Sequence, residues 1–144
     1  MQMTPDKKKN KLYIVVPCYN EEQVLGETSK RLKIKCEDLI QKGQISKDSK
    51  IVFVDDGSKD RTWKMISELH ETDSLFSGVK LSRNRGHQNA LLAGLTMASE
   101  HADMAISMDA DLQDDINAVD QMIEKYYEAV SYTHLRAHET LSDL

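Results

Sequence analysis

Four short apolar runs, each followed by a longer stretch of helical periodicity, set the limits on what this chain can fold into. The runs cover residues 12–16, 51–54, 79–81 and 105–108, and the first two are rich in β-branched residues. The first helix is expected from the Asn20 cap to about Lys42, with Gly43 as its stop and Val24, Leu25, Leu32, Cys36, Leu39 and Ile40 as its apolar residues. The second carries Trp63, Ile66 and Leu69. The third, from Gln88 to Glu100, carries Leu91, Leu92, Leu95 and Met97. The fourth, from Asp115 to Ala129, carries Val119, Met122, Ile123 and Tyr126. Crossovers of this length suit parallel pairing rather than hairpins. The expectation is therefore an α/β fold: a doubly wound, mainly parallel sheet with right-handed connections and strand order 3-2-1-4.

Composition narrows the function. A chain of 144 residues allows one domain with a real core. A formal net charge of −5 argues against a nucleic-acid partner, which asks for a basic face. Cys18 and Cys36 form no metal pattern, and Cys18 sits in an apolar run like a small core residue. No apolar run approaches the roughly 18 residues that a membrane helix needs. Residues 1–10 are lysine-rich without an apolar signal core and read as a frayed, disordered tail. Residues 11–129 carry the fold. Residues 130–144 lack strand alternation and read as a tail foreign to it. His134 and His138 lie there at a spacing that can bind metal on a helix, but no acidic or cysteine partner accompanies them.

The polar clusters fall at the C-terminal ends of the apolar runs. Pro17 to Glu22 follows the first, Asp55 to Ser58 the second, Arg83 to His87 the third and Asp109 to Asp115 the fourth. In open α/β sheets, ligands bind beyond the carboxyl ends of the strands, where the strand order reverses. With order 3-2-1-4 the reversal lies between the first and fourth strands. Asp109 and Asp111 are one residue apart, so in extended backbone they point to one side, and Gln113 follows if the chain stays extended. Two carboxylates with phosphates and water make a Mg²⁺ site. The other reading of this stretch is a helix cap, which suits Asp114 and Asp115 but lies too far from Asp109. Ser58 or Asp60 is expected to cap the second helix. Taken singly, Tyr19 also reads as a core aromatic, Asp56 as a turn residue, and Arg83 and His87 as solvated charges.

Together the four clusters resemble family 2 glycosyltransferases. These are Val-Val-Pro-Cys-Tyr-Asn-Glu-Glu, Val-Asp-Asp-Gly-Ser-Lys-Asp-Arg-Thr, Ser-Arg-Asn-Arg-Gly-His and Met-Asp-Ala-Asp-Leu-Gln-Asp-Asp. They are most similar to the polyprenyl-phosphate branch, which holds dolichol-phosphate mannose synthases and bactoprenol glucosyltransferases. The resemblance spans about residues 11–129. It implies the nucleotide-sugar-binding half of a GT-A fold, cut short before an acceptor region and, in many members, membrane helices. It implies that Pro17, Tyr19, Glu21, Asp56, Arg83, Gly86 and Asp109 bind the nucleotide, with Asp56 accepting from the base. Asp109, Asp111 and Gln113 would hold Mg²⁺ or Mn²⁺. The donor would be a UDP- or GDP-hexose, and the acceptor of the intact parent a polyprenyl phosphate at the cytoplasmic face of a membrane. The parent would work with inversion, the chain alone would transfer nothing, and homo-oligomers are allowed by an open sheet edge. Two other classes fit the acidic strand ends: a non-catalytic nucleotide-binding module, and a Mg²⁺-dependent phosphoryl or nucleotidyl transferase.

Overall fold

A computed structural model describes residues 6–112 and 115–142, with residues 131–142 described by their backbone. The elements are β1 (Leu12–Cys18), α1 (Leu25–Gln41), β2 (Lys50–Asp55), α2 (Thr62–Thr72), β3 (Phe76–Lys80), α3 (His87–His101), β4 (Met104–Ser107) and α4 (Ala118–Ser142). The strands form one parallel sheet in the order β3-β2-β1-β4, as the alternation of elements predicts. The chain winds outward from β1 through β2 to β3. It then crosses to the far side of β1, which puts the reversal between β1 and β4.

Register explains a proline in a central strand. Val15 pairs with Ser107, and its carbonyl accepts from the amide of Met108 at 3.0 Å. The backbone groups of residue 17 face the same side two residues later. By then the fourth strand has ended, so the missing N–H of Pro17 costs no ladder bond. The two chains part there, and the space between them is the mouth of a crevice.

The two faces of the sheet are packed differently. Ile14, Val16, Ile51 and Phe53 meet Leu25, Leu32, Cys36 and Leu39 of α1, Ile66 of α2, and Val119, Ile123 and Tyr127 of α4. On the opposite face, among the described residues, the helix that covers Val15, Val52 and Val54 is α3. The residues α3 buries are Ala90, Gly94 and Ala98, on four-residue steps. The leucines that mark the helix in the sequence are not its innermost side chains. Leu91, Leu95 and Met97 pack from the flanks, and Leu92 is 62% exposed. A Cβ on Gly94 would lie 2.4 Å from Cγ1 of Val15 and 2.8 Å from Cγ2 of Val54. The small stripe therefore sets how closely α3 lies over β1 and β2. In α4 the buried aromatic is Tyr127 rather than Tyr126. Tyr127 donates its hydroxyl to the carbonyl of Gln44, and Lys7 sits over its ring.

Residues 6–10 contain a 3-10 turn (Lys7–Lys9) capped by Asp6; residues 1–5 lie outside the described residues. Helix α4 runs past residue 130 to Ser142, since neither glycine nor proline follows Ala129. Among the described residues no helix is long and apolar enough to cross a membrane. Both cysteines are free and buried, and burial pushes the Cys36 thiol up to about 12.

Gly94→Ala tests the packing of α3. The added methyl has no room without moving Val15 or Val54, so the variant should lose about 1–3 kcal/mol. Urea denaturation reads this as a lower midpoint at unchanged slope.

Candidate active site

The loops leaving β1 and β2 are stapled into one body. The hydroxyl of Ser58 accepts from the amide of Asn20 at 2.9 Å, and Oδ1 of Asn20 accepts from the amide of Lys59 at 2.8 Å. Thr62 Oγ1 accepts from the amide of Glu21 at 2.8 Å, and Asp60 Oδ2 from the amide of Glu22 at 3.2 Å. The amide of Asp56 reaches the carbonyl of Cys18 at 2.8 Å. Burial pushes the Asp60 carboxyl up, but hydrogen bonds from the Thr62 hydroxyl and amide and the Glu22 amide hold it below its usual value.

These bonds correct two expectations. Asn20 does not cap α1: it sits at φ 52, its side chain is used by the neighbouring loop, and the helix starts at Leu25. Ser58 does not cap α2, whose cap residue Arg61 makes no side-chain bond. Asp60 does accept from the amide of Thr62, at 2.9 Å, from one position further out. Both polar side chains find partners across about 40 residues of sequence rather than in their own helix, which local pattern cannot show.

Asp56 and Gly57 hold the third loop. Asp56 is almost fully buried, with Oδ1 accepting from the amide of Arg85 at 2.7 Å and Oδ2 from the amide of Gly86 at 3.1 Å. Gly57 has φ 72, and a Cβ there would lie 2.4 Å from the backbone nitrogen of Asn84. Only glycine meets both demands. Gly86, at φ 93, turns the chain into α3 so that His87 and Ala90 face the crevice. Arg83 is exposed and is not part of the crevice wall; its backbone abuts Gly57.

Beyond β4 the alternation continues for a few residues. Met108 and Ala110 are buried, while Asp109 and Asp111 both line the crevice. The amide of Leu112 closes back on the carbonyl of Asp109 at 3.0 Å, with Leu112 at φ 52. Gln113 and Asp114 lie outside the described residues.

The crevice so formed has a volume of about 340 Å³. Of the residues expected there, Pro17, Tyr19, Glu21, Asp56, Gly86, Asp109 and Asp111 line it together. Cys18, Asn84, Ala90 and Ala110 line it too, although sequence reasoning did not single them out. For Ala90 the only signal was a small residue in the first turn of a helix that follows a strand-end loop. The electrostatics are acidic. Burial, and then the charges of Asp111 and Asp60, push the Glu21 carboxyl above its usual value. Among the described residues no cluster of three His, Cys, Asp or Glu side chains forms a ready ligand set. Two carboxylates on one wall nevertheless fit a Mg²⁺- or Mn²⁺-type ion, which completes its shell with phosphate and water.

An open parallel sheet in the order β3-β2-β1-β4, with a crevice at its switch point, makes this an α/β protein of GT-A architecture. The family model for glycosyl transferase family 2 matches residues 13–139, and the chain belongs to that family. It is 53% identical over 117 residues to the uncharacterized glycosyltransferase YkoT of Bacillus subtilis, covering 81% of this chain and 35% of that protein. It is 35% identical to the undecaprenyl-phosphate 4-deoxy-4-formamido-L-arabinose transferase of an Enterobacter species, covering 85% of this chain and 36% of that protein. The chain thus spans about a third of the length of these relatives. Among solved structures, a mannosyltransferase from Pyrobaculum calidifontis in complex with GDP-mannose and Mn²⁺ shares the fold. Its TM-score is 0.57 at 23% identity, over 81% of this chain and 32% of that one.

Glu21 supplies a test of the site's charge. Its raised pKa means that the folded state favours the protonated form. The resulting penalty is absent well below pH 4.5 and grows as the pH rises through and above that value. Glu21→Gln should therefore melt above the parent at pH 7, with the gap closing below about pH 4.5. Equal gaps at pH 7 and pH 4 would contradict this.

Proposed function

We propose that this chain is the donor-binding part of a glycosyltransferase that moves a hexose from a UDP- or GDP-sugar to a polyprenyl phosphate at the cytoplasmic face of a membrane. The observation that carries the reading is the meeting of Pro17, Tyr19, Glu21 and Asp56 with Asp109 and Asp111 on one crevice. Tyr19, 40% exposed at the rim, offers a face for the base. Asp56 spends part of its accepting capacity on Arg85 and Gly86, and a carboxylate has lone pairs left for a base N–H. Arg83 and Gly86 belong to the loop that would lie beside the nucleotide. The polyprenyl acceptor is supported by the name of the Enterobacter relative and the sequence likeness to it.

Asp109 and Asp111 would hold the divalent cation, with Gln113 as the third candidate. A bound cation supplies charge stabilisation to the departing diphosphate. The acids that line the crevice would otherwise repel the donor's phosphates, so a cation on the carboxylate pair would make donor binding metal-dependent. In the transfer, the bond from the anomeric carbon to the diphosphate breaks as one to an acceptor phosphate oxygen forms, with inversion. The acceptor phosphate, with a second pKa of about 6, is already an anion near neutral pH and needs no proton removed. A chain that positions only the donor forgoes the gain from holding both reactants in register.

Asp109→Asn and Asp111→Asn should each remove the Mn²⁺-dependent part of UDP or GDP binding while leaving the circular dichroism spectrum unchanged. Calorimetry that finds the same metal-dependent affinity in both variants would overturn the metal reading. Radiolabelled transfer to undecaprenyl phosphate in detergent should be absent with the 144-residue chain alone. Robust transfer would place the acceptor site within it.

A further inference from the structure

Helix α1 bonds to the described residues on either side of residues 113–114: to Ala110, inside the carboxylate pair, and to Asn117 and Asp120 at the start of α4. The hydroxyl of Thr28 donates to the carbonyl of Ala110 at 2.5 Å. Thr28 and Ala110 are both buried, at 2% and 4% exposure, so this carbonyl needs a protein donor. Nζ of Lys35 reaches Asp120 Oδ2 at 2.6 Å and Asn117 Oδ1 at 3.2 Å. Thr28 and Lys35 stand two turns apart on α1 and so share a face.

The Ala110 carbonyl lies between the two acids. Its direction fixes the plane of the peptide that joins Ala110 to Asp111, and hence where the Asp111 side chain starts. The turn it belongs to closes on Leu112 at φ 52, a conformation that L side chains disfavour. Such a turn persists when its surroundings hold it. The Thr28 bond to Ala110 is that hold, and neither Thr28 nor Lys35 is among the residues that line the crevice.

We infer that Thr28 and Lys35 are positioning residues for the carboxylate pair. The Thr28 hydroxyl orients Asp109 and Asp111 for a divalent cation bound with a nucleoside diphosphate, and Lys35 ties α1 to the start of α4 beside it. The inference rests on the metal-diphosphate reading of the site. Outer partners of this kind hold ligands in register, and their loss weakens metal binding by about 10–100-fold.

The test uses the 144-residue chain with Mn²⁺ and UDP or GDP as probes. Thr28→Val keeps the branched shape and removes the donor. It should weaken Mn²⁺-dependent nucleotide binding about tenfold, leave metal-free binding unchanged, and speed hydrogen exchange at the Leu112 amide. Thr28→Ser keeps the hydroxyl and should restore affinity. Lys35→Met, at a partly exposed side chain, should weaken the metal-dependent part by a smaller factor, and it carries the test if Thr28→Val does not fold. An equal loss with and without metal in Thr28→Val, or failure of Thr28→Ser to restore binding, would make the role merely structural and overturn the inference. Unchanged metal-dependent affinity in both Thr28→Val and Lys35→Met would overturn it while leaving the site reading intact. Absence of metal-dependent binding in the parent chain would overturn both.

Discussion

The buried carboxylate of Asp56 is the contact on which the crevice depends. Two backbone amides, from Arg85 and Gly86, converge on it, and its own amide is bonded to Cys18. One residue therefore joins the ends of β1 and β2 to the loop that opens α3. Hydrogen bonds to a carboxylate are stronger than neutral ones, and a buried carboxylate left without donors is costly. Gly57 completes the joint by letting the Asn84 backbone approach to where a side chain would begin. Loss of the joint would free the Gly86 turn and with it the first turn of α3.

The sheet beneath follows from a division of labour between its faces. Among the described residues, α1, α2 and α4 cover one face, whereas α3 lies over Val15, Val52 and Val54. A single helix covers two strands well only if it lies close, and Ala90, Gly94 and Ala98 permit that. The same closeness brings Ala90 to the crevice wall. Packing on the second face and the shape of the site are thus set by the same small residues.

The site holds its acids close together on the crevice. The raised pKa of Glu21 reports burial and the nearby charges of Asp111 and Asp60. Such an arrangement opposes folding slightly at neutral pH and favours any ligand that brings positive charge. Functional sites commonly hold strain of this kind. The Thr28 contact holds the carbonyl of Ala110, which stands between Asp109 and Asp111.

Sequence alone determined the alternation of strands and helices, the parallel sheet and its order, because periodicity and crossover length act locally and prune topology. It also pointed to residues that line the crevice, since Pro17, Tyr19, Glu21, Asp56, Gly86, Asp109 and Asp111 each stand beyond the end of an apolar run. Tertiary structure decided the partners. Asn20 and Ser58 carry the marks of helix caps, yet they bond to each other's loops, because a cap signal cannot tell its own helix from a loop brought alongside by the sheet. The leucines of α3 outweigh its alanines in any hydrophobicity count, yet the sheet selects the alanines, because close packing is decided by the space between two surfaces and not by either surface alone. Thr28 reads as an ordinary helix residue until the fold sets its hydroxyl against Ala110, 82 residues away in sequence.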